Sequence, residues 1–574
     1  MTFVAGVAGP DAAGAAARLR TSLPNAELLA EPGLALAWSG IDVSVARAEG
    51  LLCVAAGAPA ADVAAAWARG GENALANVRG GFAAVLWDAA RERGLLAAGP
   101  LGIRAFVLRR HGRGVTFALE PRDLLPLLRS RPGPDGATVT AWLERGELPA
   151  DATLFAGIER LPGGHLLELG AEPRRRRYWT PAFAEPEPIG RAEAEARVRD
   201  GLERAVAHVS APEAGILLSG GLDSAAVAAA AVRAGRRPPG YSVVFPGEPE
   251  VDEAEAIAET AGALGLPSTV VPYDGAAGLL AATRAHVETW SLPPTSPTIA
   301  VHAPLLRQAA GDGVGLLLDG QGGDELFGSS LEVLADLLRA GRLGAARDLA
   351  HRLDGIPRRL RGRAARRALL RYGLAPLLPG SLRAAARALR GRERPAPWLR
   401  LDAAPRAEPA GTGPAWWRVL ADALTAQRER AGAHDHLRRR NADAGVAGAH
   451  PLLQDRELIE LVLGLPPALA FDAERDRPLL RGALRGLLPE RVLERRGKAF
   501  FTPLLVHAAA VTDAAEIRRL LLAPGAEIGA YADLAVVRGR LLDAPAARRG
   551  GAWAWSLWRL AALELWLAAE RGRA

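Results

Sequence analysis

Short apolar runs separated by turn residues fill the first 120 positions of the chain. The strand candidates among them are GLALAWSG, GLLCVAAG, GGFAAVLWD, RGLLAAGP, AFVLRR and VTFALE. Their close spacing predicts a sheet-rich first domain. Four consecutive arginines, Arg174–Arg177, and the proline-rich stretch TPAFAEPEPIG come next. We interpret this part as a linker, with a domain boundary near 180–190.

From position 190 the pattern alternates between helices and buried strands. A charged helical sequence, RAEAEARVRDGLERAVAHV, precedes the apolar run GILLSGG and the alanine-rich helix DSAAVAAAAVRAG. Further buried-strand candidates are YSVVFPG, STVVPYDG and GVGLLLDG. This order predicts an α/β domain with a parallel sheet covered on both faces. After residue 330 the pattern is almost entirely helical, and we expect the tryptophans of AWAWSLWRLAALELWLAAE to lie in the core.

Composition limits the class of protein. A chain of 574 residues is too long for one compact core, and its 49% apolar and 24% charged residues exclude a disordered or fibrous chain. Cys53 is the single cysteine, so an intramolecular disulfide framework and cysteine-based metal sites are excluded, and we expect it in the core. The chain has no signal-like start and no apolar run of the ~20 residues that a membrane span needs. We therefore expect a soluble, cytoplasmic protein.

The positive charge is concentrated in one segment. The formal net charge is +7, and residues 331–400 carry 17 arginines against five acidic residues. The segment has the pattern of helices with arginine faces. Such faces can bind an acidic peptide, a partner protein or nucleic acid, or can simply be solvated, and the sequence leaves these alternatives open.

One glycine-rich loop has the features of a phosphate site. The sequence LLSGGLDS at 217–224 lies where a predicted strand turns into a helix, so that backbone amides, hydroxyls and the helix N-terminus converge on an anion. It is not a Walker loop, because no Gly-Lys-Ser/Thr follows. SGGLDS instead resembles the pyrophosphate loop of ATP pyrophosphatases. The candidate nucleotide contacts are Leu217, Ser219, Gly220, Gly221, Asp223, Ser224, Val243 and Gly320.

A second loop, GQGGDELFG at 320–328, follows another predicted strand. The carboxyl ends of strands in one parallel sheet open onto the same crevice, which would bring Asp223 and Asp324 close together. Magnesium prefers one or two carboxylates together with phosphate oxygens and water. The two loops therefore predict bound Mg-ATP, with Asp223 and Asp324 as the metal ligands.

With both loops in place, the chain resembles the asparagine-synthetase-like family over nearly its whole length. The first half contains GGFAAVLWD, GPLGIRAFVL, FALEPRDLL and GIERLPGGHLLEL, and the second half adds HPLLQDRELIELVLGLP and PLLRGALRGLLPERVLERRGKAFFTPL. The resemblance implies an N-terminal nucleophile-hydrolase-type α+β sandwich over 1–182. It further implies an ATP-pyrophosphatase synthetase domain over 190–574, with a basic helical insert at about 331–400.

The same resemblance assigns a catalytic role to Lys498, the only lysine of the chain. It matches the family lysine that stabilises negative charge as the acyl-adenylate forms and is attacked. A flexible ammonium is physically suited to that task.

The chain departs from glutamine-dependent members at the nucleophile. They need a cysteine directly after the initiator methionine, whereas Thr2 stands here, and the stretch 50–76 lacks their Asn-Gly-Glu segment. We therefore expect no active glutaminase and regard the first domain as a structural remnant.

Without ammonia from glutamine, the acceptor amine must come from elsewhere. Two branches of the family fit, the β-lactam-forming synthetases and the lasso-peptide cyclases. The first branch uses a tyrosine general base three residues before the metal aspartate, where this chain has Gln321. A peptide α-amine, with a pKa of roughly 7.7–8, needs little help from a base. We therefore expect a lasso-peptide cyclase that adenylates an Asp or Glu side chain of a precursor peptide and forms an isopeptide macrolactam.

The expected partners are the precursor peptide, a leader-recognition protein and a leader peptidase, with neither nucleic acid nor membrane. An ammonia-using asparagine synthetase, a β-lactam synthetase, an RNA-binding ATP pyrophosphatase and a scaffold without turnover are the alternatives. Glu325 and Asp455 are expected near the site with open roles. For the three histidines near 434–450 we expect surface or core positions rather than a metal site, since the pattern lacks further ligands; they are His434, His436 and His450.

Overall fold

The structure is a computed structural model. It describes residues 2–40, 42–48, 50–170, 172–209, 211–273, 275, 278–353, 360–379, 382, 396–401, 413–425, 431–495 and 500–573. Lys498 and parts of the predicted basic insert lie outside the described residues.

The described strands of the first domain form two six-stranded antiparallel sheets, in the orders β10-β8-β9-β1-β3-β2 and β12-β11-β7-β6-β5-β4. The strands are β1 (Phe3–Ala8), β2 (Glu27–Glu31), β3 (Leu34–Ser39), β4 (Val43–Ala48), β5 (Leu51–Ala56), β6 (Ala83–Asp88), β7 (Arg93–Ala98), β8 (Val107–His111), β9 (Gly114–Ala118), β10 (Glu159–Arg160), β11 (His165–Leu169) and β12 (Arg174–Arg177). The helices are α1 (Ala12–Ser22), α2 (Ala60–Leu75), α3 (Pro121–Leu124) and α4 (Gly136–Arg145).

The two sheets pack face to face, because each presents a face of apolar side chains to the other. Leu36 and Phe117 of the first sheet share a buried cluster with Val54 and Val85 of the second. Cys53 points to the opposite face and is buried with residues of α2, as expected, and burial raises the pKa of its thiol to about 12. All six strand candidates are strands, so the predicted sandwich is confirmed.

The prediction that Arg174–Arg177 belongs to a linker was wrong. These residues form β12, which pairs antiparallel with His165–Glu168 of β11 at the edge of the second sheet. The ladder uses backbone groups only, so four exposed arginines can occupy an edge strand, where charge also discourages pairing with another chain.

The second half contains a parallel sheet in the order β15-β14-β13-β16-β17. Its described strands are β13 (Ala214–Leu217), β14 (Gly240–Val244), β15 (Ser268–Pro272), β16 (Leu316–Leu318) and β17 (Ala447–Ala449). The predicted parallel sheet is confirmed. Only β17 was missed, because three small residues leave no apolar run to detect.

Helices cover this sheet and fill most of the chain beyond it, as predicted. Up to residue 368 they are α5 (Arg191–Val209), α6 (Leu222–Arg233), α7 (Ala254–Leu264), α8 (Leu280–Trp290), α9 (Ile299–Gly311), α10 (Gly323–Leu326), α11 (Val333–Arg339), α12 (Leu343–His351) and α13 (Arg361–Ala368). Later helices are α14 (Ala415–Thr425), α15 (Ala431–Ala442), α16 (Pro451–Gln454), α17 (Arg456–Leu463), α18 (Pro478–Ala483), α19 (Glu490–Glu494), α20 (Thr502–His507), α21 (Ala514–Leu521), α22 (Leu534–Val537) and α23 (Gly551–Arg573).

The last helix packs against the first domain. The ring centroids of Trp142 and Trp558 are 6.2 Å apart, and those of Phe155 and Trp566 are 5.4 Å apart. Trp558 and Trp566 are buried, so the expectation of core tryptophans is confirmed for them. Across the described ranges, no helix combines the length and apolar character that crossing a membrane requires.

Candidate active site

The loop between β13 and α6 is held in one shape by its own groups. The Ser224 hydroxyl donates to the Gly221 carbonyl at 3.1 Å and accepts from the Ser219 amide at 3.1 Å. Gly220 has φ +68°, and a Cβ at this position would lie 2.9 Å from the Cβ of Glu253, so glycine is required. Gly221, the N-cap of α6, has no side chain to cover the first turn. The helix N-terminus is therefore open to a phosphate.

The loop after β16 touches this first loop directly. A Cβ on Gly320 would lie 2.4 Å from the Ser224 backbone nitrogen, and a Cβ on Gly323 would lie 2.2 Å from Asp223 Oδ1. Both positions therefore require glycine. The close approach brings Asp223 together with Asp324, at the crevice where the sequence placed them.

Arg477 joins the two aspartates. Its Nη1 donates to Asp223 Oδ1 at 2.6 Å, and its Nη2 donates to Asp324 Oδ1. Arg477 has φ 48°, a left-handed conformation that is uncommon for a residue with a side chain, and it directly precedes Pro478 at the start of α18. The sequence analysis missed Arg477, because nothing in the sequence distinguishes it within a chain that has 71 basic residues.

The carboxylates of Asp223 and Asp324 fit a magnesium ion that also binds phosphate. Asp223 is 8% exposed, while the Asp324 side chain is 52% exposed and open to a nucleotide. Within the described ranges, no three His, Cys, Asp or Glu side chains gather as a metal cluster. Two carboxylate donors leave the remaining ligand positions to phosphate oxygens and water, as magnesium prefers.

Both loops line a cleft of about 520 Å³, which we call the nucleotide cleft. Every predicted nucleotide contact lines it, namely Leu217, Ser219, Gly220, Gly221, Asp223, Ser224, Val243 and Gly320. Asp324, Glu325 and Gln321 also line the cleft. The structure thus gathers the predicted nucleotide contacts and both predicted metal ligands around one cavity, and Lys498 lies outside the described residues.

Arg495 closes one side of the nucleotide cleft. Its guanidinium donates to the Gly220 carbonyl at 2.7 Å and pairs with Glu253 at 2.7 Å. Phe500 also lines the cleft. The described residues on either side of 496–499 therefore both border the nucleotide cleft.

A buried ion pair supports the second loop. Asp319 Oδ1 lies 2.8 Å from His450 Nδ1 and accepts from the Gln321 amide at 3.1 Å, and Asp319 Oδ2 lies 3.6 Å from Arg440. Burial pushes the pKa of Asp319 upward, but His450 and Arg440 outweigh burial and hold the pKa below its usual value. Asp319 was missed by the sequence analysis, although it directly precedes the second loop.

Two neutral histidines form another part of the nucleotide cleft. Burial, with Arg440 nearby, lowers the pKa of His302 to about 4, and the same causes hold the pKa of His436 well below its usual value. The predicted histidines His434, His436 and His450 are all buried, which agrees with core positions.

Glu325 and Asp455 lie in different places. Glu325 lines the nucleotide cleft, whereas Asp455 does not. Asp455 caps α17 by accepting from the Leu458 amide at 2.8 Å, and it pairs with His208 at 2.8 Å. Asp455 was expected near the site with an open role, and its carboxylate caps a helix rather than lining the nucleotide cleft.

In the first domain, Thr2 is bound by a charged pair. The Thr2 hydroxyl donates to Asp42 Oδ1, and Arg104 donates to Asp42 Oδ2. Asp42 and Arg104 line a separate pocket of about 600 Å³ between the two halves of the chain. The hydroxyl that stands at the position of the family's nucleophile is thus held by a carboxylate paired with an arginine.

Comparisons with known sequences match both halves of the chain. The family profile described as Asparagine synthase matches residues 197–568, and the profile described as Glutamine amidotransferase domain matches residues 60–179. Fold and matches together define an amidotransferase-type domain followed by a synthetase-type domain. Because the first match covers more than half of the chain, this protein belongs to the asparagine synthase family.

Curated relatives carry the name putative asparagine synthetase (glutamine-hydrolyzing). Those of Mycobacterium bovis and Mycobacterium tuberculosis are each 31% identical over 271 residues, which is 45% of this chain and 41% of the relative. The match thus spans less than half the length of these relatives. Among solved structures, a glutamine phosphoribosylpyrophosphate amidotransferase from B. subtilis covers 47% of this chain and 65% of its own at 13% identity and a TM-score of 0.22.

Proposed function

We propose that this protein is an ATP- and magnesium-dependent lasso-peptide cyclase. It adenylates an Asp or Glu side chain of a precursor peptide and joins that side chain to the N-terminal amine of the same peptide, with release of AMP and pyrophosphate. The proposed partners in this sequence of reactions are a leader-recognition protein and a leader peptidase.

The observation that carries the proposal is the contact of Thr2 with Asp42 and Arg104, in a chain whose nucleotide cleft has both glycine loops. The Thr2 hydroxyl donates to a carboxylate that Arg104 also binds, and it stands where glutamine-dependent members have the thiol of a cysteine. Ammonia from glutamine is therefore not expected. A synthetase half that activates a carboxylate then needs an amine brought by the substrate.

The chemistry needs two bond exchanges. A side-chain carboxylate oxygen bonds to the α-phosphorus of ATP while the bond to pyrophosphate breaks. The peptide amine nitrogen then bonds to the acyl carbon, AMP leaves with one carboxylate oxygen, and the proton of the amine passes to solvent. The peptide loses one water in total.

The chain's own residues bind and orient these groups. The amides of the loop from Gly220 to Ser224 and the N-terminus of α6 bind phosphate oxygens, and Arg477, which donates to both aspartates, would turn to the departing pyrophosphate once magnesium takes its place there. Magnesium held by Asp223 and Asp324 would neutralise phosphate charge.

Lys498 is proposed to stabilise the charge that develops during both exchanges. It lies in sequence between Arg495 and Phe500, and both of these border the nucleotide cleft. This supports the role that the family resemblance gives to the lysine.

Mass spectrometry of a peptide incubated with the protein tests the proposal. A candidate core peptide with a free N-terminal amine, together with ATP and magnesium, should lose the mass of one water as AMP forms. Lys498→Ala should abolish both changes, and a peptide with an acetylated amine should give no lactam. AMP formation without a dehydrated peptide would show that the protein adenylates a substrate but does not cyclise this peptide.

An ammonia-using asparagine synthetase is the second candidate, favoured by the names of the curated relatives. Asparagine formed from aspartate, ammonium and ATP, with no lactam from any peptide, would support it. A β-lactam synthetase is less well supported, because Gln321, on the rim of the nucleotide cleft, cannot act as a general base.

A further inference from the structure

A second cavity of about 350 Å³ adjoins the nucleotide cleft, and we call it the side chamber. Thr295 and Glu325 line both cavities, so the two are neighbours. Glu325 follows the candidate metal ligand Asp324 directly in sequence. A molecule in the side chamber therefore lies beside the reaction centre, and the volume falls within the range of roughly 300–1,000 Å³ that is typical of ligand sites.

The walls of the side chamber come from both halves of the chain. The first domain contributes Trp142, Leu148 and Arg160, and the synthetase half contributes Leu292 and Trp555, among others. Four arginines and three acidic residues also line the chamber, beside its apolar and aromatic surface. Such a wall can take apolar peptide side chains and fix one charged end.

Buried positive charge beside the chamber is not fully neutralised. Arg160, Arg438 and Arg439 share two carboxylates, those of Glu120 and Asp435. Three guanidinium groups on two carboxylates leave one positive charge in excess. Since burying an unpaired charge is costly, this cluster favours an anionic ligand.

Arg160 is the member of this cluster with a free donor. Its side chain is 6% exposed and lines the side chamber. Nε donates to Asp435 at 3.3 Å and Nη2 donates to the Gly102 carbonyl at 3.3 Å, while Nη1 has no hydrogen-bond partner. A carboxylate could accept from Nη1 and supply the missing negative charge.

We propose that the side chamber is a carboxylate subsite that binds the C-terminal end of the peptide substrate, with Arg160 as its anchor. The inference rests on the proposed function for the source of the carboxylate, because the reacting side chain and the N-terminal amine of the peptide are both engaged at the nucleotide cleft. The C-terminal carboxylate is the charged end that every peptide retains. The tryptophans then contact the apolar side chains that precede it.

The test compares peptides that end in a free acid or in an amide, with the full-length protein, ATP and magnesium. For the wild type, amidation should raise the KM for the peptide about tenfold, which corresponds to about 1.4 kcal/mol, while kcat stays nearly constant. Arg160→Met should raise the KM of the acid by a similar factor and abolish the difference between acid and amide. The KM for ATP should not change, which separates lost binding from general damage.

Arg131→Met is the matched control. Arg131 also links the first domain to the synthetase half, through Glu570 at 2.7 Å, but it does not line the side chamber. This variant should keep the preference for the acid. If Arg160→Met fails to fold, Arg160→Lys should fold and retain part of the preference, since it keeps a positive donor. Equal KM values for acid and amide in the wild type would overturn the subsite.

Failure of the subsite and failure of the proposed function give different results. If the wild type cyclises peptides but does not distinguish acid from amide, the function stands and the subsite is wrong. If the wild type instead converts aspartate and ammonium, the proposed function is wrong. In that case, a raised KM for aspartate in Arg160→Met would keep the carboxylate subsite with a free amino acid as its ligand, and an unchanged KM would overturn it.

Discussion

Before a nucleotide binds, the guanidinium of Arg477 offsets the negative charge of the two aspartates. Its guanidinium donates to both carboxylates, and its side chain is only 10% exposed. A magnesium ion must compete with this guanidinium for the same oxygens. Arg477 is therefore free to turn to phosphate only when a cation takes its place.

Replacing Arg477 by methionine should distinguish the effect of the guanidinium on the two aspartates from the effect of magnesium. Arg477→Met removes the guanidinium from the buried Asp223, which should cost about 2 kcal/mol of stability in the absence of metal. Magnesium alone should then raise the Tm of the variant more than that of the wild type, in thermal melts with magnesium or with EDTA. Arg475→Met, which removes a pair with Glu494 instead, is the control. Equal magnesium effects in all three proteins would contradict this account of Arg477.

Asp123 is a buried carboxyl group that is poorly compensated. Burial raises its pKa to about 7, although Arg122 lies 3.5 Å away and lowers it. Below about pH 4 the carboxyl is protonated in both the folded and the unfolded chain. As the pH rises to 7 the unfolded chain releases the proton first, so this group lowers the stability of the fold over that window.

Asp123→Asn should therefore stabilise the protein at pH 8. A shift of about three pKa units corresponds to at most about 4 kcal/mol, and the gain should shrink towards zero at about pH 4. Urea unfolding of wild type and variant at several pH values measures this difference. A gain that does not change with pH would show that the ionised carboxyl is not its cause.

The sequence analysis predicted the two aspartates of the site but missed two of its arginines. Asp223 and Asp324 were identified because glycine-rich loops mark the ends of parallel strands. Arg477 and Arg160 were not, because their roles depend on contacts over 254 and 275 positions, with Asp223 and Asp435. No local pattern reports such contacts.

Helix α15 connects the first domain to the nucleotide cleft. Arg438 and Arg439 pair with Glu120 of the first domain, while His436 and Arg440 line the nucleotide cleft. Glu120 is fully buried. The first domain thus positions a helix of the nucleotide cleft.

Glu120→Gln should destabilise this connection strongly. Removing the buried carboxylate leaves Asp435 as the remaining carboxylate that the two arginines share, which should cost about 3–5 kcal/mol. Glu168→Gln, at an exposed pair with Arg176, should cost less than about 1 kcal/mol. Chemical unfolding of both variants gives the comparison. Similar losses of stability for the two would contradict the role assigned to Glu120.

Secondary structure followed the hydrophobic pattern at the elements that the sequence analysis named, although β1 and β11, which also bury apolar residues, were not among them. The six strand runs and the helix at Arg191–Val209 formed as predicted. The strand Arg174–Arg177 did not follow that pattern, because an edge strand is held by its backbone and needs no apolar side chain. Strand β17 is too short to show a period.

At the scale of the whole molecule, the two predicted domains share a core. Trp566 of the last helix is buried with Val7 of the first strand and Val139 of α4. The sequence predicts each half separately, but contacts between the first and last elements of a chain leave no periodic signal. The division at 180–190 stays a prediction.

The shared core also forms the side chamber and holds it beside the nucleotide cleft. Both cavities are lined by residues from distant parts of the chain, so the site depends on the complete fold. In the proposed reaction, this fold transfers the acyl group of a peptide side chain first to AMP and then to an amine.

The transfer of a labelled oxygen atom from the peptide to AMP tests this proposed reaction. A core peptide whose Asp or Glu side-chain carboxylate is labelled with oxygen-18 is incubated with the protein, ATP and magnesium, and the nucleotide product is analysed by mass spectrometry. If the side chain is adenylated and then attacked by the amine, AMP should carry one heavy oxygen for each lactam formed. Lactam formation with unlabelled AMP, or with label in inorganic phosphate, would contradict it.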